Sequence, residues 1–102
     1  MNGRYSLTRA AERDLEELGD YIASRDSVRA AERVLEALRA AFRRLAAMPG
    51  LGHVHPDVGN DALRVWHVHS WLVVYDPDSS PLPVVRVVYG GMDLARQQFE
   101  KE

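Results

Sequence analysis

LRVWHVHSWLVVYDPDSSPLPVVRVVYGGMDL, residues Leu63 to Leu94, is the stretch that decides the fold. It contains three runs rich in valine and aromatic residues, which favour a pleated, half-buried surface. The segment Asp76–Pro81 separates the last two runs, because proline has no N–H for the hydrogen-bond ladder of a sheet and fixes its own φ. The stretch therefore predicts three consecutive antiparallel strands. The runs are Leu63–Trp66, Trp71–Tyr75 and Val84–Tyr89.

The last run also predicts which side chains share a face of the sheet. Successive residues of a strand point to opposite faces. Simple alternation places Val85, Val87 and Tyr89 on one face, with the residues between them on the other. Three such strands require a second layer to cover them, and the first half of the chain is suited to supply it.

Two amphipathic helices are predicted before the strands. Thr8 and Ser27 are candidate N-caps, since a hydroxyl oxygen can accept a hydrogen bond from the free N–H groups of a first helical turn. Met48-Pro49-Gly50 ends the second helix. The apolar stripes are Ala11, Leu15, Leu18 and Ile22 in the first helix, and Ala31, Val34, Leu35, Leu38, Ala41, Phe42 and Leu45 in the second.

The short link between the helices favours an antiparallel helical hairpin with both stripes facing the sheet. A short strand candidate at the N-terminus, Tyr5–Leu7, completes the order β-α-α-β-β-β. The fold class is therefore predicted to be α+β, with a helical hairpin packed on a small four-stranded antiparallel sheet.

Length and composition limit the classes of protein to which this chain can belong. A chain of 102 residues with 46% hydrophobic content is expected to form one domain, residues 1–102, with one core. A formal net charge of -2 gives no reason to expect direct DNA binding. The absence of cysteine agrees with a reducing cytoplasm, and no segment has the apolar length of a signal peptide or a membrane span. We therefore expect a cytoplasmic protein without a membrane partner, and no motif predicts a cofactor.

All four histidines form two His-x-His pairs, His53/His55 and His67/His69. In an extended segment each pair points two imidazoles the same way, which is one arrangement for binding a metal with Asp57 nearby. Without a fixed third ligand the pairs are more simply polar surface, so no metal site is predicted. An imidazole is suited to act as a general base, which makes His69 a candidate, but no motif directs it at a substrate.

Arg64 and Arg86 each interrupt an apolar strand, where an unpaired charge is unfavourable. A guanidinium fork on a sheet can hold a phosphate or the carboxylate of a partner. Alternatively, such an arginine pairs within the chain, for example with Asp93, and its stem covers the sheet. Both interpretations stay open. The arginines of the second helix interleave with Glu32 and Glu36 and are better explained as a solvated face.

Motifs along the chain match one known pattern. They are Tyr5-Ser6-Leu7-Thr8 with Ala11, Asp14 and Leu15, Asp20-Tyr21-Ile22-Ala23, Phe42-Arg43-Arg44-Leu45-Ala46, Pro49-Gly50-Leu51-Gly52-His53, Leu63-Arg64-Val65-Trp66, Val68–Tyr75 and Val84–Val88. Taken together, these motifs resemble the ParE branch of the RelE/ParE superfamily, the toxins of bacterial type II toxin–antitoxin systems. The resemblance covers nearly the whole chain and is most specific in the sheet. It implies the same β-α-α-β-β-β fold and a toxin that acts inside a bacterial cell until an antitoxin peptide covers it.

The chain also departs from the superfamily pattern. Met92 stands where an arginine usually precedes Asp-Leu after the last strand, and His67 stands where proline is frequent. RelE-type members resemble ribosome-dependent mRNA endonucleases that rely on lysines, arginines and a C-terminal tyrosine. Here Lys101 is the only lysine, and Gln97-Gln98-Phe99 occupies the place of that tyrosine. Groups for charge stabilisation and proton transfer are thus missing, which favours a ParE-like inhibitor of DNA gyrase.

Three hypotheses follow from the resemblance: a gyrase-directed toxin neutralised by its antitoxin, an mRNA endonuclease with a reduced site, or a toxin fold that keeps only antitoxin binding. Arg64, His69 and Arg86 are the candidate catalytic residues of the second. For antitoxin binding, the sheet arginines are candidates to receive acidic side chains of the peptide. The full set of antitoxin-binding candidates is Arg64, Trp71, Tyr75, Arg86 and Tyr89.

Overall fold

The computed structural model describes residues 4–91 and 94–100. Its helices and strands follow the predicted order, and three short 3-10 turns, 49–51, 56–58 and 94–96, complete the structure. Within the described ranges, no helix is long and apolar enough to cross a membrane. The elements are β1 (Tyr5–Leu7), α1 (Arg9–Arg25), α2 (Val28–Ala47), β2 (Arg64–Val68), β3 (Trp71–Tyr75) and β4 (Leu82–Tyr89).

Both helices begin at the predicted caps. The Thr8 hydroxyl accepts a hydrogen bond from the N–H of Ala11, and the Ser27 hydroxyl accepts one from the N–H of Ala30. Each bond satisfies an N–H that has no partner inside its helix. The second helix ends one residue before Met48, as predicted from the Met-Pro-Gly sequence.

The four strands form one mixed sheet in the order β1-β4-β3-β2. Strands β2, β3 and β4 are antiparallel as predicted, but β1 pairs parallel with β4, with Tyr5 opposite Leu82 and Leu7 opposite Val84. The expectation of an entirely antiparallel sheet was therefore wrong. Turns fix the direction of β2–β4, whereas no local connection joins β1 to β4. β1 is instead held parallel by its contacts with β4. At the junction between β1 and α1, the N–H of Thr8 donates to the carbonyl of Val84.

A register shift between β3 and β4 overturns the predicted alternation of side chains in β4. The shift lies at Val74/Tyr75, where Tyr75 pairs with Val84 and Val74 pairs with Arg86. The extra residue on β4 is Val85, as in a β-bulge. Val84 and Val87 consequently face the helices, and Val85 joins Val88 on the opposite face.

The sheet is buried on both faces rather than on one. The larger core lies between the sheet and the helical hairpin, and both predicted helical stripes contribute to it, including the fully buried Leu38 and Phe42. A smaller cluster on the other face contains Leu63, Val65 and Leu72 with their neighbours. The turn at Val58 and the C-terminal segment, through Leu94 and Phe99, cover this second cluster.

Candidate functional site

An apolar cleft opens between the C-terminal half of α1 and the ends of β3 and β4. It encloses about 600 Å³ and is lined by Tyr21, Ile22, Ser70, Trp71 and Tyr89, the residues that we call the aromatic cleft. The rings of Trp71 and Tyr89 meet edge to face, with centroids 5.7 Å apart. Tyr21 and Tyr89 are 54% and 50% exposed, so both rings of the lining are open to solvent. The cleft therefore presents a patch of exposed aromatic surface.

A charged pair lies at the other end of the same helix–strand boundary. The Asp14 carboxylate on α1 accepts two hydrogen bonds from the Arg86 guanidinium, at 2.7 Å from Nε and 2.9 Å from Nη2. Arg86 Nη1 donates to the carbonyl of Gln98, so the C-terminal segment is attached to the same group. A polar pocket of about 260 Å³, lined also by Arg13 and Glu17, adjoins the pair.

This geometry resolves how Arg86 is accommodated in an apolar strand. The hydrogen bond to Asp14 is the main cause that raises the pKa of Arg86 above its ordinary value, so the side chain stays cationic. Its partner within the chain is Asp14. The suggested alternative, Asp93, lies outside the described residues, as does Met92.

Arg64 and Tyr75 are held in a second group of contacts, around Gly52. Arg64 donates from Nη1 to the Gly52 carbonyl at 3.0 Å. The Tyr75 hydroxyl donates to the carbonyl of Pro49 at 2.6 Å and accepts the N–H of Gly52 at 2.9 Å. Burial raises the pKa of Tyr75, and its side chain has no exposed surface. Of the five antitoxin-binding candidates, only Trp71 and Tyr89 share the aromatic cleft.

The two His-x-His pairs do not form joint sites. His67 lies on β2, but His69 lies in the following turn with a positive φ of 53°, so the two side chains do not follow the strand alternation. His55 Nδ1 accepts the N–H of Asp57, and the His53 and His67 rings stack with centroids 6.0 Å apart. No group of three potential ligands that could hold a metal ion occurs among the residues that the structure describes.

The candidate catalytic residues are not brought together either. Arg64 and His69 lie at opposite ends of β2, and Arg86 is engaged by Asp14 at the α1 side of the sheet.

Contacts of the second helix agree partly with a solvated charged face. Glu36 lies 3.2 Å from Arg43 and 3.8 Å from Arg39. Arg44 differs, because its guanidinium lies 5.9 Å from the ring centroid of Trp66 on β2. A groove of about 460 Å³ opens at this margin of the sheet.

Several residues of these sites were not predicted as site residues from sequence, among them Asp14, Tyr21 and Ile22. Asp14 entered the sequence analysis only as part of the family's opening motif, because its role depends on Arg86, 72 positions away. Ile22 was assigned to the core stripe. Tyr21 belongs to the motif Asp20-Tyr21-Ile22-Ala23, which resembles the family's helix-one end, and it is an aromatic residue on a helix whose other exposed residues are mainly charged.

Comparison with known proteins agrees with the fold. Residues 5–94 match the family model described as the ParE toxin of the type II toxin–antitoxin system parDE. The chain is 30% identical to Toxin ParE3 of Caulobacter vibrioides, over 97% of this chain and 98% of that protein. It is 31% identical to Toxin ParE1 of Mycobacterium tuberculosis, over 94% and 98%.

A solved structure shares the architecture at low sequence identity. A chain of the chromosomal ParDE toxin–antitoxin system from P. aeruginosa superposes with a TM-score of 0.69, covering 85% of this chain and 97% of that one at 15% identity. That likeness concerns the fold, and the family model and the ParE relatives supply the assignment. The chain belongs to the ParE toxin family of type II toxin–antitoxin systems.

Proposed function

We propose that this ParE-family toxin is held inactive by an antitoxin segment that binds in the aromatic cleft, and that the free toxin acts on DNA gyrase by binding. The observation that carries the first part is the exposure of Tyr21 and Tyr89 beside Trp71, around an apolar volume of about 600 Å³. Aromatic anchors in a concave apolar site are the usual centres of binding energy at protein interfaces.

The chemistry of the cleft specifies the kind of segment. An apolar stripe of a peptide that orders on binding would cover the cleft between α1 and the sheet. Trp71 and Tyr89 already fix each other through their edge-to-face contact, so little side-chain freedom is lost when they are covered. The P. aeruginosa ParDE structure, a toxin–antitoxin system with this fold, supports a partner of that class.

The sequence analysis expected Arg64 and Arg86 to receive acidic side chains of the antitoxin, but both arginines already have hydrogen-bond partners within the chain. Asp14 already occupies the fork of Arg86, so an antitoxin carboxylate would compete with an internal one. Arg86 contributes to the cleft by fixing α1 against β4. Arg64 points to the Gly52 carbonyl, and Tyr75 is buried, so neither belongs to the proposed docking surface.

The antitoxin proposal is tested by measuring the dissociation constant of the complex with the antitoxin encoded beside the toxin gene. We expect Tyr89→Ala and Trp71→Ala each to weaken binding by at least about tenfold, as for aromatic anchors of other interfaces. Met48→Ala is the matched control, because Met48 is a large exposed side chain, 56% exposed, that does not line the cleft. Equal effects of the three substitutions would place the antitoxin elsewhere.

The target is tested with the purified toxin alone. Support for gyrase comes from the family resemblance together with the separation of Arg64, His69 and Arg86. We expect inhibition of supercoiling by DNA gyrase, relieved by the antitoxin, and no cleavage of mRNA on ribosomes. Ribosome-dependent cleavage that disappears in Arg86→Ala or His69→Ala would make the endonuclease hypothesis the correct one. Normal growth on induction of the toxin alone would leave antitoxin binding as its remaining function.

A further inference from the structure

The tertiary structure pairs two histidines that the sequence did not pair. His53 lies in the segment before the sheet meander and His67 lies on β2, so each comes from a different His-x-His motif. Their rings stack with centroids 6.0 Å apart and an interplanar angle of 17°. Both residues are exposed. Two imidazoles from separate segments therefore meet on one open surface.

Backbone contacts fix this histidine pair. Val65 of β2 donates its N–H to the carbonyl of His53 at 2.7 Å, and its own carbonyl accepts the N–H of His53 at 3.1 Å. Residues that oppose each other in such a bridge direct their side chains to the same face, and residues two apart in a strand do so as well. His53 consequently shares a face with Val65 and with His67. Because the backbone sets this arrangement, the two imidazoles stay adjacent when either ring rotates.

The segment that carries His53 is held at a second point. The Gly52 N–H donates to the Tyr75 hydroxyl at 2.9 Å, and the Gly52 carbonyl accepts a hydrogen bond from Arg64 at 3.0 Å. Arg64 lies three residues before His67 in β2, so strand alternation directs its side chain to the opposite face of the sheet. The neighbouring cation is therefore directed away from the imidazoles. Two side chains on so fixed a backbone lose little conformational freedom when they bind a ligand.

The ring nitrogens of the pair are available to a ligand. Within residues 4–91 and 94–100, neither of the two imidazoles forms a hydrogen bond or an ion pair, and their contact with each other is through the rings. The remaining histidines differ. His55 uses Nδ1 to accept the N–H of Asp57, and His69 lies in a turn with a positive φ.

The separation of the two rings suits one metal ion between them. An ion midway between the centroids lies about 3 Å from each, half of the 6.0 Å separation. Imidazole nitrogens bind Zn²⁺ at about 2.0–2.1 Å, so each ring must tilt inward by about 1 Å. Exposed side chains make such a movement by rotation about χ1 and χ2. Nitrogen ligands of this kind select the late first-row metals, with Cu²⁺ bound most tightly, over Mg²⁺ and Ca²⁺.

We propose that His53 and His67 together bind one late first-row divalent metal ion as a two-imidazole chelate. Water completes the coordination, because no group of three potential ligands occurs in the described part of the chain. The ion links the segment around Gly52 to β2 by a connection that is additional to the backbone hydrogen bonds. This site lies beyond the proposed function, since neither histidine lines the aromatic cleft.

The direct test is calorimetric titration of the full chain, without an affinity tag, with Cu²⁺ alone. We expect one ion per chain, and binding at least about tenfold weaker in His53→Ala and in His67→Ala. His55→Ala and His69→Ala are the matched controls, because each removes the other histidine of the same motif, and we expect them to weaken binding by less than about threefold. Equal losses in all four variants would show adventitious binding to surface histidines. Losses confined to the two histidines of one motif would refute the pairing of His53 with His67.

Two further measurements separate chelation from effects on folding. Electron paramagnetic resonance of the Cu²⁺ complex counts the nitrogens on the ion, and we expect two imidazole nitrogens in the unaltered chain and one in His67→Ala. A single imidazole nitrogen in the unaltered chain would refute the chelate.

The second measurement is the melting temperature with and without Ni²⁺. A ligand that binds only the folded chain stabilises it, so we expect Ni²⁺ to raise the melting temperature of the unaltered chain and Mg²⁺ to leave it unchanged. His67→Ala removes an exposed side chain, so it is expected to fold and to lose the response to Ni²⁺. An equal rise in His67→Ala would place the ion elsewhere.

Discussion

Asp14 and Arg86 form a bidentate ion pair that joins α1 to β4, with oxygen–nitrogen distances of 2.7 and 2.9 Å. Asp14 Oδ2 also accepts the N–H of Val87 at 2.9 Å, beyond the point where β1 stops pairing with β4. The side chains of Arg86 and Asp14 are only 18% and 10% exposed. One carboxylate thus satisfies both a partly buried guanidinium and the backbone N–H of Val87, at the part of β4 that does not pair with β1.

The first prediction concerns this pair. Asp14→Asn should lower the free energy of unfolding by about 1.5–3 kcal/mol, because it leaves a largely buried guanidinium without its counter-charge. Glu16→Gln is the control, since Glu16 is an exposed acidic residue of the same helix that does not line the pockets beside Arg86. Urea denaturation measures both. Additive losses in the double variant Asp14→Asn, Arg86→Gln would show that the two side chains do not act as a pair.

The second prediction concerns the hydroxyl of Tyr75. Tyr75→Phe should cost about 1–3 kcal/mol at neutral pH, since it leaves the Pro49 carbonyl and the buried Gly52 N–H without their partner. Chemical denaturation of the two proteins provides the measurement. A loss of unfolding free energy below about 0.5 kcal/mol, as small as that of an ordinary surface substitution, would mean that water replaces both hydrogen bonds.

The same hydroxyl predicts a pH dependence. Burial raises the pKa of Tyr75 in the folded state above its ordinary value of 10.0, so its contribution to stability is fully present below that value. As the pH rises above about 10, the unfolded chain releases the proton first, and the free energy of unfolding falls until the folded pKa is passed. The fall should be smaller in Tyr75→Phe. Parallel alkaline unfolding curves for the two proteins would contradict the assignment.

The third prediction concerns Gly52, which lies against the Tyr75 ring. A Cβ at this position would lie 2.6 Å from the Tyr75 oxygen and 2.6 Å from the Val65 carbonyl oxygen. Gly52→Ala should therefore lower the melting temperature markedly, whereas Gly50→Ala should not, because a Cβ at Gly50 meets nothing within 4 Å. Equal melting temperatures would show that the loop moves away at little cost.

The fourth prediction concerns the core between the helices and the sheet. Leu38→Ala should cost about 2–5 kcal/mol, since Leu38 is fully buried and the substitution leaves a cavity. Glu32→Ala, on the exposed face of the same helix, should change stability by less than about 0.5 kcal/mol. A loss below half a kcal/mol in Leu38→Ala would remove Leu38 from the core.

The sequence by itself determined the elements of this protein and the faces of its helices. Thr8 and Ser27 cap helices because a hydroxyl meets N–H groups two or three residues away. The apolar period of α2 fixes Leu38 and Phe42 inside for the same local reason. The motifs of the sheet also led to the family, and the match over residues 5–94 confirmed it.

Only the tertiary structure decided how distant parts meet. The parallel direction of β1, the bulge that separates Val85 from Val87, and the pairing of Asp14 with Arg86 all join segments that are remote in sequence. Periodicity and capping are properties of neighbouring residues and can be derived from the order of amino acids. Register and ion-pair choice depend on how the helical hairpin settles on the sheet, and that follows from packing of the whole core.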